Sequence, residues 1–449
     1  MLAALRGGTF AMRAADENFL PRAEGESRLK YETRLASSFL FEAYDDTVGM
    51  IASQPFTKPV SLQGPDLPQR VSELWSNIDG RGMRMTDFAS ALFDDMVDRG
   101  LSHVFVDFPN TGGSQTEAQE RQGGIRPYLV HVKAENMIGW RTRVANGQTI
   151  LEQIRFRECT VEPDGDFGEM PVERVRVFNA DGTWEVWKHV KAHKDKWVLE
   201  NSGAHTFKGI PLVTVYSSRT GFMTASPPLE KIAWLNVEHW QSASDQRNIL
   251  HHVRVPVFFR AGFTEEELAK DVVLGAGTGI GSTNPEATAK WIESQGSGVK
   301  VGADDLRTIE QRMEVLGAKP FMPTRTGSVT ATARVIDEKK THSSVQAWVR
   351  ALEIGLRETL VIAGQWVGET LDDKTQVAVF NEFTLATRAA DDNKTLIELY
   401  REKGIDRTTL LEEMKRRGVL SELVDPAQVS DAVLDELMQE LGGDLGDSE

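Results

Sequence analysis

The sequence predicts an α+β fold in which helices at both ends flank a β-rich, mostly antiparallel block. Three observations lead there. Apolar residues recur at helical spacing before residue 100 and again after residue 228. Between Leu101 and Tyr216 the runs are instead rich in β-branched and aromatic residues and are separated by turn signals. The composition of the 449-residue chain, 40% hydrophobic and 26% charged, is that of an ordinary globular protein, long enough for two to three domains. It excludes a disordered chain, a collagen-like fibre and a disulfide scaffold. The single cysteine, Cys159, can form no intrachain bridge, suits a reducing compartment, and reads as a small core residue within an apolar run.

Taken in order, Arg28–Val48 carries Leu29, Leu35, Phe39 and Val48 among charges, and Met85–Val97 carries Phe88, Leu92, Phe93 and Met96; both read as helical. Four prolines at 55, 59, 65 and 68 exclude a continuous helix between them. Asn77–Gly82 is a turn cluster, with Thr86 as a candidate cap for the next helix. The expected strands are His103–Phe108, Tyr128–Val132, Leu151–Cys159, Val172–Phe178, Thr183–Val190, Lys196–Glu200 and Leu212–Tyr216. Asn179-Ala-Asp-Gly182 is a hairpin signal.

After Ser226-Pro-Pro228 a helix of about 22 residues is expected, capped by Ser226, with Leu229, Ile232, Ala233, Trp240, Ala243 and Leu250 as its stripe. Val255–Arg260 and Ala289–Glu293 read as strands, and Thr264–Asp271 as a short helix with a Thr264/Glu267 capping box. A second helix presents Leu306, Ile309, Met313 and Leu316 and ends at Gly317. The loop Gly317–Gly327, holding Lys319, Thr324, Arg325 and Thr326, is long for a helix–helix connection; it is either a plain connector or a functional loop. From about Ser328 a longer helix runs to Val367, about 58 Å if unbroken. A strand at Val377–Phe380 and helices at Lys394–Glu402, Thr408–Arg417 and Val429–Leu441 follow. Residues 423–449 carry eight acidic side chains and no Lys or Arg, and the last few residues read as a solvated, mobile tail.

The 51 basic and 67 acidic residues give a charge of −16, which opposes tight, sequence-specific DNA binding. Apolar runs such as Thr359–Val367 are far shorter than the roughly 20 residues that cross a bilayer, and Met1–Met12 shows no signal-peptide pattern. The Gly275–Gly281 run (GAGTGIG) fails the dinucleotide-binding spacing, because isoleucine and serine stand at 280 and 282. It reads as a flexible loop. No P-loop or Gly-x-Ser-x-Gly elbow is present. His189 and His193 fall on a strand-like segment, where four-residue spacing does not converge on a metal; His251-His252 sits at a helix end. No catalytic residue, metal ligand or cofactor is assigned.

Beside this reading stands a resemblance. Asn77–Gly82 with Phe88–Asp107, Arg126–Lys133 (RPYLVHVK) followed by Ala134–Arg141 (AENMIGWR), Ser226–Leu229 (SPPL), Leu316–Lys319 (LGAK), Thr330–Arg334 (TATAR) and Asn381–Phe383 (NEF) occur in a fixed order. In that order the chain resembles the portal proteins of tailed bacteriophages, in a branch long catalogued as a phage domain of unknown function. The resemblance implies a portal-type fold: a mixed α/β wing at 1–225, antiparallel stem helices at 228–252 and 302–316, and a small α/β clip at 253–301. A tunnel loop at 317–328, a long kinked helix at 329–367 and a helical wing and crown region with an acidic tail at 368–449 complete it.

It further implies a homo-oligomeric ring, normally of twelve subunits, at one capsid vertex of the virion, assembled in the host cytoplasm. Double-stranded DNA would pass through it during packaging and ejection. The implied partners are the large terminase, the head–tail adaptor, and the major capsid and scaffolding proteins, with no membrane. Lys319, Thr324, Arg325 and Thr326 would face DNA, and Gly275, Gly277, Gly279 and Gly281 would face terminase or adaptor. Trp234, Trp240, Trp348 and Trp366 are either core residues or interface anchors. Two alternatives remain at the sequence level: a cytosolic nucleotide-dependent enzyme, and another head–tail connector component.

Overall fold

The computed structural model describes residues 1–109, 119, 123–190, 196–254, 257–269, 280–292, 297–321, 343–381, 396–397, 399–401 and 405–416. These mix helices with antiparallel sheets, as expected, in two compact units, Met1–Val379 and Phe380–Glu449.

The first unit opens with α1 (Leu2–Arg6) and α2 (Gly8–Ala14), which bury Leu2, Leu5 and Met12. The pattern expected over Arg28–Val48 is broken into α3 (Arg28–Ser37) and α4 (Ala43–Ser53) by Ser38, whose backbone is extended. Leu29 and Phe39, expected on the apolar face, are 74% and 60% exposed. Instead α3 buries Tyr31 and Arg34, and the Arg34 guanidinium is satisfied by the Glu26 carboxylate at 2.8 Å and the Pro21 carbonyl at 3.0 Å. After β1 (Ser61–Gln63) and α5 (Gln69–Ser72), the Asn77–Gly82 turn forms as read: Asn77 Oδ1 accepts from the Gly82 amide, and Asp79 Oδ1 from the Arg81 and Met83 amides. Helix α6 (Met85–Arg99) follows with Arg84 at its N-cap. Thr86 does not cap it; its hydroxyl accepts from the Val60 amide.

Gly100 (φ +92°) turns α6 into the sheet, and a Cβ there would lie 2.4 Å from the Ser226 carbonyl oxygen. Strands β2 (Leu101–Asp107), β3 (Tyr128–Val132) and, after an interval, β9 (Leu212–Tyr216) form a three-stranded sheet in the order β3-β2-β9. Between β3 and β9 the chain makes a five-stranded up-and-down meander: β4 (Met137–Ala145), β5 (Gln148–Asp164), β6 (Gly168–Asn179), β7 (Thr183–Val190) and β8 (Lys196–Ala204). The hairpin at Asn179–Gly182 closes with the Gly182 amide donating to the Asn179 carbonyl at 3.0 Å. The sheets meet over Phe105, Val132, Ile154, Phe156 and Phe178.

Cys159 is exposed, not a core residue as expected. Strand alternation turns Ile154 and Phe156 inward and leaves Arg155, Arg157 and Cys159 on the outer face.

Short strands β10 (Arg219–Gly221) and β11 (Thr224–Ala225) precede α7 (Glu230–Arg254). Ser226 is not its cap; the Ser226 hydroxyl meets that of Ser218 at 3.0 Å. Then come β12 (Val257–Ala261), α8 (Glu265–Leu268), β13 (Thr288–Ile292), α9 (Ser297–Ala318), α10 (Ser344–Val367) and β14 (Gln376–Ala378), the last pairing antiparallel with β1.

The helix expected from Ser328 to Val367 is not continuous. A Ser343/Gln346 capping box starts α10, and left-handed Gly368 ends it; its 24 residues span about 36 Å. Residues 329–342 lie outside the described residues. The predicted face of α10, from Val345 through Trp348, Leu352, Leu356 and Leu360 to Ala363, is buried. It lies so close on β9 that a Cβ on Gly355 would stand 2.0 Å from Val215 Cγ1.

In the second unit, α11 (Arg407–Arg416) buries Leu410, Leu411 and Met414 against Leu396 and Ile397. The acidic 423–449 segment and the expected 429–441 helix lie outside the described residues.

Candidate functional site

The segment from α7 to α9 is the candidate site. The two helices run antiparallel, because partners that rise in number along α7 fall in number along α9. His239 Nε2 meets Glu310 at 3.2 Å, the Ser242 hydroxyl donates to Asp305 at 2.9 Å, and the Gln246 amide donates to the Val299 carbonyl at 2.7 Å. Ile309 and Met313 of α9 are buried. Gly302 leaves the space that Gln246 occupies: a Cβ would fall 2.1 Å from Gln246 Oε1.

The N-terminal helices hold the base of α7. Asn236 is fully buried; its Oδ1 accepts from the Tyr44 amide and its Nδ2 donates to the Phe41 carbonyl. Trp240 is also fully buried. Buried Ser244 accepts from the Ser38 hydroxyl, and Gln241 donates to the Phe19 carbonyl. Of the four tryptophans singled out, Trp240 and Trp348 are core residues and Trp234 is 54% exposed. Trp366 is half-buried, stacked on Phe108 and Phe207, and donates to the Val106 carbonyl.

Between α7 and α9 stands a small module. Strands β12 and β13 pair antiparallel from Val257↔Ile292 to Ala261↔Thr288, with Phe258 and Trp291 rings 5.1 Å apart. The expected Thr264/Glu267 capping box is present. Glu267 does more than cap, since its carboxylate also accepts from the Thr283 amide at 3.1 Å and the Ser282 hydroxyl at 2.9 Å. It thereby ties α8 to the loop before β13. The Thr264 and Thr283 amides, with the Ser282 hydroxyl, hold the Glu267 carboxyl down at about 2.

A depressed carboxyl favours the folded module at every pH above its unfolded range, and that contribution fades as pH falls from about 4.3 toward about 2. Glu267→Gln, a neutral mimic of the acid form, is expected to speed hydrogen exchange at the Thr264 and Thr283 amides at pH 7. Unchanged exchange would contradict this role.

The predicted site residues divide as follows. Lys319 is exposed and opens a 3-10 turn, Lys319–Phe321, directly after α9. Gly317 does not end the helix; it is buried in the last turn, with Thr47 against it, so α9 continues to Ala318. The expected loop thus begins later than residue 317. Thr324, Arg325 and Thr326 lie outside the described residues, as do Gly275, Gly277 and Gly279. Gly281 is exposed, and a Cβ there would meet open space, so nothing local demands glycine.

Elsewhere, a cleft of about 580 Å³ is lined by Arg6, Asp87, Asp94, Asp98, Arg99 and His131, among others. Several of its carboxylates are engaged structurally: Asp94 with Arg6 at 2.6 Å, Asp98 with the Tyr44 hydroxyl at 2.7 Å, and Asp95 with the Ala134 amide at 3.1 Å. Burial raises the Asp94 carboxyl, against the pull of Arg6. Among the described residues no group of three or more His, Cys, Asp or Glu is arranged to hold a metal ion, and no helix is long and apolar enough to cross a membrane.

Residues 228–367 match a family model described as a domain of unknown function (DUF4055). The matched segment starts just before α7 and ends with α10. No curated protein matches the chain. Among solved structures, the chain is similar to one from the neck of an empty gene transfer agent particle computed with C6 symmetry, at 12% identity and a TM-score of 0.40, over 89% of this chain and 90% of that one. It is also similar to a chain of the native gene transfer agent virion, at 12% identity and 0.37, over 96% and 98%. A third is from the neck of the native particle computed with C12 symmetry, at 12% and 0.37, over 89% of each.

Proposed function

We propose that this chain is a structural protein of the head–tail region of a phage-type particle and, within that region, the subunit of a portal ring. The observation that carries the reading is the α7–module–α9 arrangement. An antiparallel helix pair is seated at its base in buried polar contacts and carries a small two-stranded module at the far end, and the family-model match falls on this segment. Helix, module, returning helix, turn and second long helix follow in the order that the portal resemblance implies.

In this reading α7 and α9 are the stem, 257–292 lies in the clip that meets terminase and later the adaptor, and Lys319 stands at the start of the loop facing the channel. Lys319 and Arg325 meet phosphates there, with Thr324 and Thr326 offering hydroxyls. The charge of −16 suits passage: a strongly basic wall would hold DNA through counterion release, whereas an acidic ring with a few cations at a constriction touches it briefly.

Electron microscopy and light scattering of the purified full chain are the test. Rings with a central hole, near 600 kDa for twelve copies of a 49.9 kDa chain, are expected. A monomer or dimer that a nucleotide stabilises against heat would replace this reading with the enzyme. In a phage carrying Lys319→Ala and Arg325→Ala, DNA packaging should slow or stop short; normal packaging would remove the channel role from both residues.

A further inference from the structure

Strands β5 and β6 together outrun the pairing on either side of them. The pairing of β5 with β4 ends at Met137↔Phe156, and β6 pairs with β7 only from Arg174 onward. Residues 159–173 therefore form a two-stranded arm, about 20 Å long, to which no other strand pairs among the described residues; at its base Arg174 and Lys188 hold the Glu162 carboxylate. Its tip is acidic and apolar together. Asp164, Asp166 and Glu169 are exposed, Phe167 is fully exposed, and Val161 and Met170 are exposed beside it. Pro163 and Pro171 lie on the two strands of the arm. Lacking N–H groups, they blunt its edges against strand pairing, which leaves the tip as the contact surface.

The same sheet carries the complement. The pattern Arg-x-Arg occurs at Arg141-Thr-Arg143 and at Arg155-Phe-Arg157. Phe156 is buried in the inter-sheet core, so strand alternation places Arg155 and Arg157 on the outer face. The register Arg141↔Gln153, with Arg143↔Ile150 beyond a bulge, adds the other two arginines to that face. Arg141, Arg143 and Arg157 are exposed. Only Arg143 meets a carboxylate among the contacts seen, Glu152 at 3.5 Å with both side chains about half exposed, a weak pair. The arm grows along the strands, away from this patch, so a straight arm cannot reach the patch of its own chain.

We infer that the acidic, Phe167-tipped arm of one copy seats on the four-arginine outer face of the sheet in the next copy. The inference rests on the ring reading and names one of the ring's contacts. Donor and acceptor surfaces differ, so the contact is heterologous, the kind that closes into a ring when the rotation fits. Opposed charges set its register.

The test uses the full chain at 0.15 M salt, with mass by light scattering. Arg141→Glu with Arg157→Glu, and separately Asp164→Lys with Asp166→Lys, should each raise the concentration for half-assembly by about tenfold or more. The chain carrying all four changes should recover assembly, because the charges again oppose. Phe167→Ser should weaken assembly without lowering the melting temperature, since the ring is exposed in the single copy. If wild type forms rings while either reversal assembles like it, or the fourfold variant fails to recover, the arm contact is wrong and the ring reading stands. A wild type that stays monomeric overturns both. An arginine face that binds duplex DNA with no effect of its reversal on assembly also overturns the inference.

Discussion

Replacing Arg176 by alanine is expected to destabilise the Met1–Val379 unit by about 3–5 kcal/mol, read as a fall in the urea midpoint at unchanged m. Arg176 lies between the two sheets, where a charge is costly unless paired. One Nη donates to Asp107 Oδ2 at 2.7 Å, and the other is 3.6 Å from Glu158. The guanidinium stands within 6 Å of the Phe105, Phe156 and Phe178 ring centres. Burial acts to lower its pKa, but the two carboxylates outweigh this and raise it, so it stays charged.

Asp107 is itself nearly buried, with Tyr128 donating its hydroxyl to the same oxygen. Burial and the Asp107 charge push the Tyr128 phenol up, which keeps it a donor. Truncating Arg176 leaves the Asp107 carboxylate desolvated with only neutral donors, and breaking a buried pair on one side is the costly way to break it. The double variant Arg176→Met with Asp107→Asn, which removes both charges and keeps the volume, should recover most of the loss. A single-variant loss below about 1 kcal/mol would place the pair among exposed ion pairs, which contribute little.

The sequence made this core legible only in part. Enrichment in β-branched and aromatic residues identifies β2, β3, β5, β6, β7, β8 and β9. Strand β4 was missed: Met137–Ala145 is an exposed edge strand with Arg141, Thr142 and Arg143 at its centre, and edge strands need no continuous apolar face. A signal for it was present, since Asn146 and Gly147 both take positive φ, the turn that Asn-Gly favours in hairpins. Periodicity found the buried face of α10 but overran its start. Ser343 is buried as a cap, and a capping box separated from the apolar stripe by only a residue reads easily as part of the helix. An apolar run does not by itself say which face is covered, and β5 is covered on one face only, which leaves Cys159 exposed.

The candidate site divides along the same line. The Thr264/Glu267 box and the helical faces are local patterns, and they were read. The Glu267 ties to Ser282 and Thr283, and the seat of α7, join residues distant in sequence, and no spacing announces them. The deepest of these contacts joins residues 192 apart.

Asn236→Asp should therefore cost more than its single-atom change suggests, about 2–5 kcal/mol at pH 7. Helix α4 begins without a cap of its own, because the Glu42 side chain makes no capping bond. The Tyr44 amide, orphaned in the first turn, instead donates to Asn236 Oδ1 at 2.9 Å, while Asn236 Nδ2 donates to the Phe41 carbonyl at 2.7 Å. One buried amide thus satisfies both a donor and an acceptor at the start of α4 and fixes α7 against it. Aspartate keeps the shape and the acceptor but turns the donor into a second oxygen aimed at a carbonyl. As a carboxylate it is also a buried charge with no cation paired to it in this contact.

The sign of the pH dependence follows. Burial and the facing carbonyl both favour the protonated acid, which can donate to Phe41, so the penalty should shrink as pH falls. Asn236→Ala, by contrast, loses both bonds and opens a cavity at every pH. Urea unfolding of the two variants at pH 7 and pH 5 separates the cases. Equal, pH-independent losses would mean that volume, not the paired amide, holds α7 in its seat.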